Sequence, residues 1–312
     1  MKKQIIISLA LLMAGAAQLS AQGIIINKTD GTFDFYPAEQ IESITTYGYG
    51  EEPQPQPGED GTLTFTVGDV SFKMVSVEGG TFEMGFFGGY SSKSSSARPT
   101  HQVTLSSFSI GQTEVTQALW YAVMGLKPTA DGNQWTSGRG LGDNFPAYYV
   151  SWEDCQEFIT KLNVLTGQQF RLPTEAEWEF AARGGTKSKG YECAGSDDLG
   201  EVGWYELNSK SDYAPRGTDA VSEVASMKPN ELDLYDMSGN ASEWCQDWYG
   251  SYTSEAQTNP TGPETGTYRV CRGGGWYNEW DYCKVWCRDS SKPTSRSYDL
   301  GLRLALTAET TE

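Results

Sequence analysis

Six cysteines and one histidine are the residues of this chain whose side chains are best suited to chemistry. The cysteines are Cys155, Cys193, Cys245, Cys271, Cys283 and Cys287, and the last two lie in the dense stretch GGGWYNEWDYCKVWCRDS. A cysteine can act as a nucleophile, ligate a soft metal ion or form a disulfide. No two cysteines have the CxxC spacing, so the sequence contains neither a thioredoxin-like motif nor a zinc ribbon.

The single histidine, His101, excludes several kinds of active site. Zinc or iron sites that need two or three histidines cannot be built from this chain. His101 lies in RPTHQVTLSSFSI, where apolar and polar residues alternate as they do in a β-strand. We therefore interpret His101 as a structural or surface residue rather than as a general base.

The N-terminal sequence predicts export from the cytoplasm. MKKQIIISLALLMAGAAQLSAQG combines two lysines, a short apolar run and small residues near Ala21, as secretory signal peptides do. We assign residues 1–21 to a signal peptide that is cleaved near Ala21, which directs the protein to the periplasm, the cell surface or the medium. The apolar run is too short for a membrane span, and no later stretch is long enough.

Three regions follow the signal peptide. Residues 22–47 place Asp30-Gly31 between two β-rich runs, which predicts a small β-hairpin segment. Residues 48–61, GYGEEPQPQPGEDG, predict an extended linker. The main domain, residues 62–308, opens with TLTFTVGDVSFKMVSV, whose alternation around a Gly-Asp pair predicts a second hairpin.

Capping residues predict three helices in the main domain, over 116–125, 151–167 and 174–184. Each begins at a serine or threonine and ends at a glycine. Glu177, three residues after Thr174, adds a capping box. Beyond Gly185 long periodic segments are few, and the whole chain carries 35 glycines and 10 tryptophans. This composition predicts a compact domain with little regular secondary structure.

Several long motifs occur in order along the main domain. They are GGTFEMG at 79–85, RPTHQVTLSSFSIGQTEVT at 98–116, VSW at 150–152, RLPTEAEWEFAARGG at 171–185, LYDMSGNASEW at 234–244, and RVCRGGGW followed by LGLRL up to Leu304. Together they resemble the sulfatase-modifying-factor family, whose namesake is the formylglycine-generating enzyme. The resemblance implies a mixed α+β, C-type-lectin-like fold with low regular secondary structure, preceded here by the N-terminal β-hairpin segment.

The resemblance also identifies three positions whose residues indicate whether the chain can perform the namesake's reaction. The namesake oxidises a sulfatase cysteine to formylglycine with a serine and two cysteines that bind Cu(I), and the matching positions here are Gly275, Asn278 and Cys283. An amide cannot replace a thiolate as a soft ligand. On a strand, which YCKVWC favours, Cys287 would lie about 13 Å from Cys283, too far to share one ion; Cys287 could supply the second sulfur only in an irregular loop. We expect the copper chemistry to be lost; the alternative is an active oxidase, or another enzyme, in which Cys283 is catalytic.

A calcium site is the second feature that the resemblance implies. The segment SGNASEW matches a family loop that binds Ca²⁺ through the backbone carbonyls of Ser238, Gly239 and Ala241 and the side chain of Glu243. Hard oxygen ligands of this kind suit calcium. The alternative is a tight turn with an exposed Glu243.

Aromatic residues beside these positions are candidates for ligand binding. Trp276, Tyr277 and Trp280 could stack on a sugar or a peptide, and the alternative for each is packing in the core. Trp280 lies among polar residues in NEWDY, so we expect it to be exposed.

We expect the cysteines to be structural and bonded to partners elsewhere in the chain, since an oxidising compartment favours disulfides. In the family, a disulfide joins a cysteine on the helix that follows VSW to a cysteine just after the second catalytic position. The resemblance also implies that the segments GNASEWC and GGGWYNEWDYC lie side by side around the active centre. The pairs implied by this resemblance are Cys155–Cys287 and Cys245–Cys283, which leaves Cys193–Cys271.

The formal net charge of −18 excludes nucleic acid as a favourable partner, because an acidic surface repels phosphates. The sequence therefore predicts an exported domain similar to the formylglycine-generating enzyme. We expect it to have lost copper chemistry and to serve as a structural or ligand-binding module for a protein or glycan at the cell envelope.

Overall fold

The protein is described here from a computed structural model. The structure describes the backbone of residues 3–8, 17–20, 23–27, 33–37 and 41–47, and residues 55–58, 61–89, 94–125, 135–210, 212 and 218–307. The cleavage position near Ala21 and most of the predicted linker lie outside these residues. The chain divides into two compact units, Met1–Gln54 and Pro55–Glu312.

The first unit contains two small sheets. Strand β1 (Lys3–Ser8) pairs in parallel with β5 (Ile41–Tyr47). Strands β2 (Ala17–Ser20), β3 (Gly23–Asn27) and β4 (Phe33–Pro37) form an antiparallel sheet. Asn27 lies opposite Phe33, which is the register of a hairpin around the segment that contains Asp30-Gly31.

The second unit is built on three sheets. Its described strands are β6 (Gln56–Pro57), β7 (Thr62–Val67), β8 (Val70–Val77), β9 (Gly80–Met84), β10 (His101–Leu105), β11 (Phe108–Gly111), β12 (Phe170–Arg171), β13 (Ser242–Trp248), β14 (Gln257–Thr258), β15 (Arg269–Arg272), β16 (Arg288–Ser291), β17 (Leu300–Leu302) and β18 (Ala305–Thr307). The sheet orders are β12-β18-β11-β8-β7-β6, β14-β10-β9 and β16-β15-β13-β17.

The hairpin predicted at the start of the main domain is confirmed. Strands β7 and β8 pair antiparallel, with Val67 opposite Val70. Neighbouring residues of β8 point to opposite faces of the sheet, so Met74 packs in one hydrophobic cluster and Val75 in another. Both faces of the six-stranded sheet are therefore covered by core side chains.

The helices of the second unit, within the described residues, are α1 (Gln117–Met124), α2 (Trp152–Thr166), α3 (Glu175–Ala182), α4 (Leu199–Val202) and α5 (Glu206–Ser209). The N-caps of the first three are the predicted Thr116, Ser151 and Thr174. Gly125 and Gly167 end α1 and α2 in the left-handed conformation, while α3 ends at Arg183, one residue before Gly184. The described helices are too short or too polar to cross a bilayer.

Every residue of helix α3 is buried, so the helix is surrounded by other parts of the second unit. Glu179 is paired with Arg183 at 2.7 Å and with Arg272, and Glu175 is paired with Arg288 at 2.6 Å. Burial of charged groups is tolerated only when they are paired and hydrogen-bonded. These ion pairs join α3 to strands β15 and β16.

Candidate functional site

The loop after β15 carries Gly275, Asn278 and Cys283, the positions that the family resemblance matches to catalytic residues. Gly273 and Gly274 have φ angles of 90° and 66°, in the left-handed region that favours glycine. A Cβ on Gly274 would lie 2.9 Å from Cys283 Sγ, so the backbone passes directly over the thiol. A Cβ on Gly275 would lie 2.7 Å from Asp299 Cβ, which leaves no room for a serine side chain.

Cys283 ends a short 3₁₀ turn, Trp280–Cys283, and its side chain is fully buried. Its Sγ–H donates to the Glu279 carbonyl oxygen, with the sulfur 3.9 Å away. Burial raises the pKa of the Cys283 thiol well above its usual range, and the nearby Cys193 acts in the same direction. A protonated thiol without solvent contact is a poor nucleophile and a poor metal ligand.

Asn278 closes the turn at the position of the family's first catalytic cysteine. Its Oδ1 accepts a hydrogen bond from the Gly275 backbone N–H at 2.8 Å, and its own N–H donates to the Gly275 carbonyl at 2.9 Å. The cavity beside Asn278 measures about 10 Å³, roughly the space that one water molecule needs. Asn278 and Cys283 do not by themselves fit a Cu(I) site, because only one of the two is a soft ligand and its thiol is buried.

The six cysteines are all buried, and no disulfide joins any two of them. Two cysteines fall in each of three hydrophobic clusters: Cys155 and Cys271 in the first, Cys245 and Cys287 in the second, and Cys193 and Cys283 in a small third cluster. The expected pairs Cys155–Cys287, Cys245–Cys283 and Cys193–Cys271 each draw on two different clusters, and these pairings stay predictions. A backbone hydrogen bond of 2.9 Å from Val285 to Glu192 brings the segments of Cys193 and Cys283 side by side, and spacing along the chain gives no sign of this contact.

The predicted calcium loop has its one charged ligand engaged elsewhere. The Glu243 carboxylate is fully buried and accepts hydrogen bonds from Arg303 at 2.7 and 3.0 Å and from Trp178 Nε1 at 2.6 Å. Arg303 already neutralises this carboxylate, and the carbonyls of Ser238, Gly239 and Ala241 carry no formal charge. This donor set does not favour a calcium ion, and calcium binding remains a prediction. The alternative, a tight turn with an exposed Glu243, is wrong about exposure, because Glu243 is buried.

The three candidate aromatic residues differ in exposure. Trp276 is buried, with 1% of its surface exposed, and packs in the core, while Tyr277 and Trp280 are 57% and 47% exposed. The Lys210 Nζ lies 3.6 Å from the Tyr277 ring centre, and the Lys284 Nζ lies 3.7 Å from that of Trp280. Each exposed ring is therefore held by a cation on one face.

Sequence reasoning missed a second group of residues with chemical potential. His101, Glu175, Asp247, Tyr252 and Arg288 line one cavity of about 530 Å³. His101 is buried there, which agrees with a structural residue and not with a surface one. These residues come from distant parts of the chain, and the one local signal was the set of acidic residues in TEAEWE.

Comparisons with known proteins agree with the motifs. A family model described as the sulfatase-modifying factor enzyme 1-like domain matches residues 67–308. The chain is 32% identical to the chaperone protein LppX of Paenibacillus barcinonensis over 75% of this chain and 89% of that protein. It is also 32% identical to the formylglycine-generating enzyme of Streptomyces coelicolor, over 76% of this chain and 90% of that protein.

Solved structures show the same fold. Treponema denticola variable protein 1 superposes with a TM-score of 0.68 at 32% identity, over 79% of this chain and 99% of that chain. PvdO from Pseudomonas aeruginosa superposes with a TM-score of 0.64 at 24% identity, over 81% of this chain and 99% of that chain. The mixed α+β fold with little regular structure is thereby confirmed. The chain belongs to the sulfatase-modifying-factor family of formylglycine-generating-enzyme-like domains.

Proposed function

We propose that this protein is an exported, non-catalytic domain that binds a ligand through its exposed aromatic side chains. The observation that carries the proposal is the state of the two positions where the family enzyme has its cysteines. Asn278 is fixed in a turn by hydrogen bonds to Gly275, and Cys283 is a buried thiol whose pKa is raised. A copper-dependent oxidase needs two accessible thiolates at these positions.

The range of relatives supports a role other than oxidation. Matches of equal identity include a protein named as a chaperone and another named as a formylglycine-generating enzyme. A third, at the same identity, is a variable protein of Treponema denticola. Because one fold can host many activities, the function of this chain must be argued from its own residues.

The surface formed by Tyr277 and Trp280 is the best candidate for ligand binding. Each ring has one face against a lysine ammonium, at 3.6 and 3.7 Å, which orients the ring before any ligand arrives. A preoriented ring loses little conformational entropy on binding. Flat apolar faces suit neutral sugar rings, and the acidic surface of the protein disfavours polyanions. The expected location outside the cytoplasm makes a cell-envelope glycan the favoured partner, with a peptide as the competing outcome.

The test compares Trp280→Ala with the wild type in titrations against neutral oligosaccharides and, separately, against unstructured peptides. Loss of one stacking ring should weaken binding by about tenfold, equivalent to about 1.4 kcal/mol. Phe87→Ala is the matched control, because Phe87 is also an exposed aromatic residue, at 61% against 47% for Trp280, but lies on another loop. Binding that Trp280→Ala leaves unchanged would contradict the proposed surface, and binding of peptides alone would replace the glycan.

The second candidate function is oxidation at Cys283, and one observation favours it. Cys193 packs in the same small cluster as Cys283 and so places a second sulfur near the first. Purified protein, Cu(I), oxygen and a Cys-x-Pro-x-Arg peptide provide the test. We expect no aldehyde by mass spectrometry. Steady turnover that Cys193→Ser abolishes would establish the oxidase and overturn the non-catalytic proposal.

A further inference from the structure

The cavity that contains His101 lies apart from the aromatic surface. Its walls come from the start of α3, the end of β13, the segment 250–263 and Arg288, and it encloses about 530 Å³. This volume is in the range of pockets that bind small molecules, roughly 300–1,000 Å³. Met84, Ala176, Pro260 and Pro263 supply an apolar part of the wall, and most of the other lining residues are polar.

The one arginine that lines this cavity is already satisfied. Arg288 Nε and Nη2 donate to the two oxygens of Glu175 at 2.6 and 2.7 Å, and its Nη1 donates to the carbonyls of Ser96 and Gly250. Glu175 in turn accepts a hydrogen bond from the Tyr252 hydroxyl at 3.3 Å. The ion pair is internally neutral, so neither Arg288 nor Glu175 is available to bind an anion or a cation.

Asp247 is the carboxyl group that remains open. It is 4% exposed, and its Oδ2 accepts the Glu175 backbone N–H at 3.0 Å. Within the described residues, no group donates a hydrogen bond to its Oδ1. Gly262 adopts a φ of 73°, and a Cβ there would lie 3.2 Å from Oδ1. Glycine at this position therefore leaves space beside the unpartnered oxygen.

His101 supplies a second acceptor on the same cavity. Its Nδ1 lies 3.4 Å from the Pro99 carbonyl oxygen, and its ring meets the edge of Tyr252 at a centroid distance of 4.8 Å. With the proton on Nδ1, directed to that carbonyl, Nε2 is an acceptor. Both groups that lack partners thus accept hydrogen bonds, and one of them is acidic.

Arg288 and Arg269 attract the Asp247 carboxylate, but neither forms a salt bridge with it. Burial raises its pKa to about 8, and the carboxylates of Glu175 and Glu177 act in the same direction. The Glu175 backbone N–H and Arg288 lower it by less. Arg269 is also near, but its guanidinium is held between the rings of Trp152 and Trp248 at 3.8 and 3.5 Å and donates to the Gln246 carbonyl.

We propose that this cavity binds a small organic ammonium ion, with Asp247 as its counter-ion, His101 as a second acceptor and the apolar wall against its carbon skeleton. A cation with N–H donors matches both open acceptors, and an anion finds no free donor among the charged groups of the lining. Binding moves the Asp247 proton to solvent and leaves a carboxylate–ammonium pair. This site is independent of Tyr277 and Trp280.

The experiment titrates the full protein with 2-phenylethylammonium and with neutral 2-phenylethanol by calorimetry. The ammonium should bind more tightly than the alcohol. Its apparent affinity should rise roughly tenfold per pH unit below 8 and level off above, because only ionised Asp247 pairs with it. In buffers of different ionisation enthalpy near pH 7, close to one proton should be released for each ligand bound.

Asp247→Asn keeps the shape of the side chain but cannot become charged, so it should weaken ammonium binding at least about tenfold at pH 8.5 and remove its pH dependence. Asp69→Asn, in the exposed β7–β8 turn, is the matched control for a lost surface charge. The proposal is overturned if the alcohol binds as tightly as the ammonium, if Asp247→Asn binds like the wild type, or if millimolar ammonium does not bind at pH 8.5. Thermal unfolding of each variant verifies that it is folded.

Discussion

The small pocket beside Asn278 and the cavity beside Asp247 share Arg288 in their linings, but they differ in how much space they offer. The first is nearly filled, with about 10 Å³ of space, and the Cys283 thiol is covered by Gly274, one of the residues in its wall. The second is open, with about 530 Å³ of space and a carboxyl oxygen that has no partner among the described residues. In this domain the positions that the family resemblance matches to catalytic residues form a packed turn, while a cavity elsewhere has the features of a binding site.

The largest expected effect comes from removing the residue that the two sites share. Arg288→Met removes the bidentate partner of the buried Glu175, although Arg272 Nε stays 3.4 Å from the same carboxylate, and loss of one member of a buried ion pair costs about 3–5 kcal/mol. Urea unfolding of the larger unit measures this change. Lys161→Met, which breaks an exposed helical pair with Glu157, should cost less than about 0.5 kcal/mol. Equal losses in the two variants would show that Arg288 is not buried as described.

Asp247→Asn sharpens the comparison through the pH dependence of stability. The folded-state pKa of Asp247 is raised to about 8, above the value near 3.9 for an unfolded chain. The contribution of its raised pKa to the free energy of unfolding is therefore complete below pH 4 and is lost as the pH rises to 8. The variant should gain on the wild type by about 1 kcal/mol per pH unit over this interval and no further above it. A constant difference between pH 4 and 8 would mean that Asp247 ionises normally.

Alkylation of Cys283 tests the closed state of the first site. Burial and the raised pKa of the thiol predict that iodoacetamide modifies Cys283 at least about a hundredfold more slowly in the folded protein than in urea. Peptide mass spectrometry follows the modification. Rapid reaction of the folded protein would expose a thiolate and revive the oxidase. A Cys193–Cys283 disulfide in non-reduced samples would explain slow reaction by a bond instead of burial.

Asn278 should contribute less, because only one side-chain hydrogen bond holds the turn. Asn278→Ala removes the acceptor for the Gly275 N–H and should cost about 1 kcal/mol. Asn278→Asp retains an acceptor oxygen and should recover most of the loss, as measured by thermal unfolding. If the alanine variant is as stable as the wild type, Asn278 does not fix this loop.

Calcium should have the smallest effect. Because Arg303 already pairs with Glu243, we expect millimolar calcium to change the melting temperature by less than about 1 °C relative to chelator. A rise of several degrees would restore the calcium site that the sequence predicts. Glu243→Ala is not a clean control, since it leaves Arg303 buried and unpaired, so the wild-type comparison decides.

Local features of the fold could be predicted because a few neighbouring residues determine them. Ser151 and Asp154 form their capping box within one helical turn, and the β7–β8 hairpin follows from alternation around Gly68-Asp69. The exposure of the three candidate aromatic residues could be predicted only in part. Trp280 is exposed as its polar neighbours predict, but nothing in the sequence distinguishes buried Trp276 from exposed Tyr277.

The sequence by itself determined the family and the caps of the main helices, since each depends on residue identity or on contacts within a few positions. Only the tertiary structure decided which residues face one another. It placed Cys193 with Cys283, gave Glu243 to Arg303, and assembled His101, Asp247 and Arg288 around one cavity. Such contacts depend on how distant segments pack in three dimensions. In a fold rich in loops, no periodic pattern along the chain records that packing.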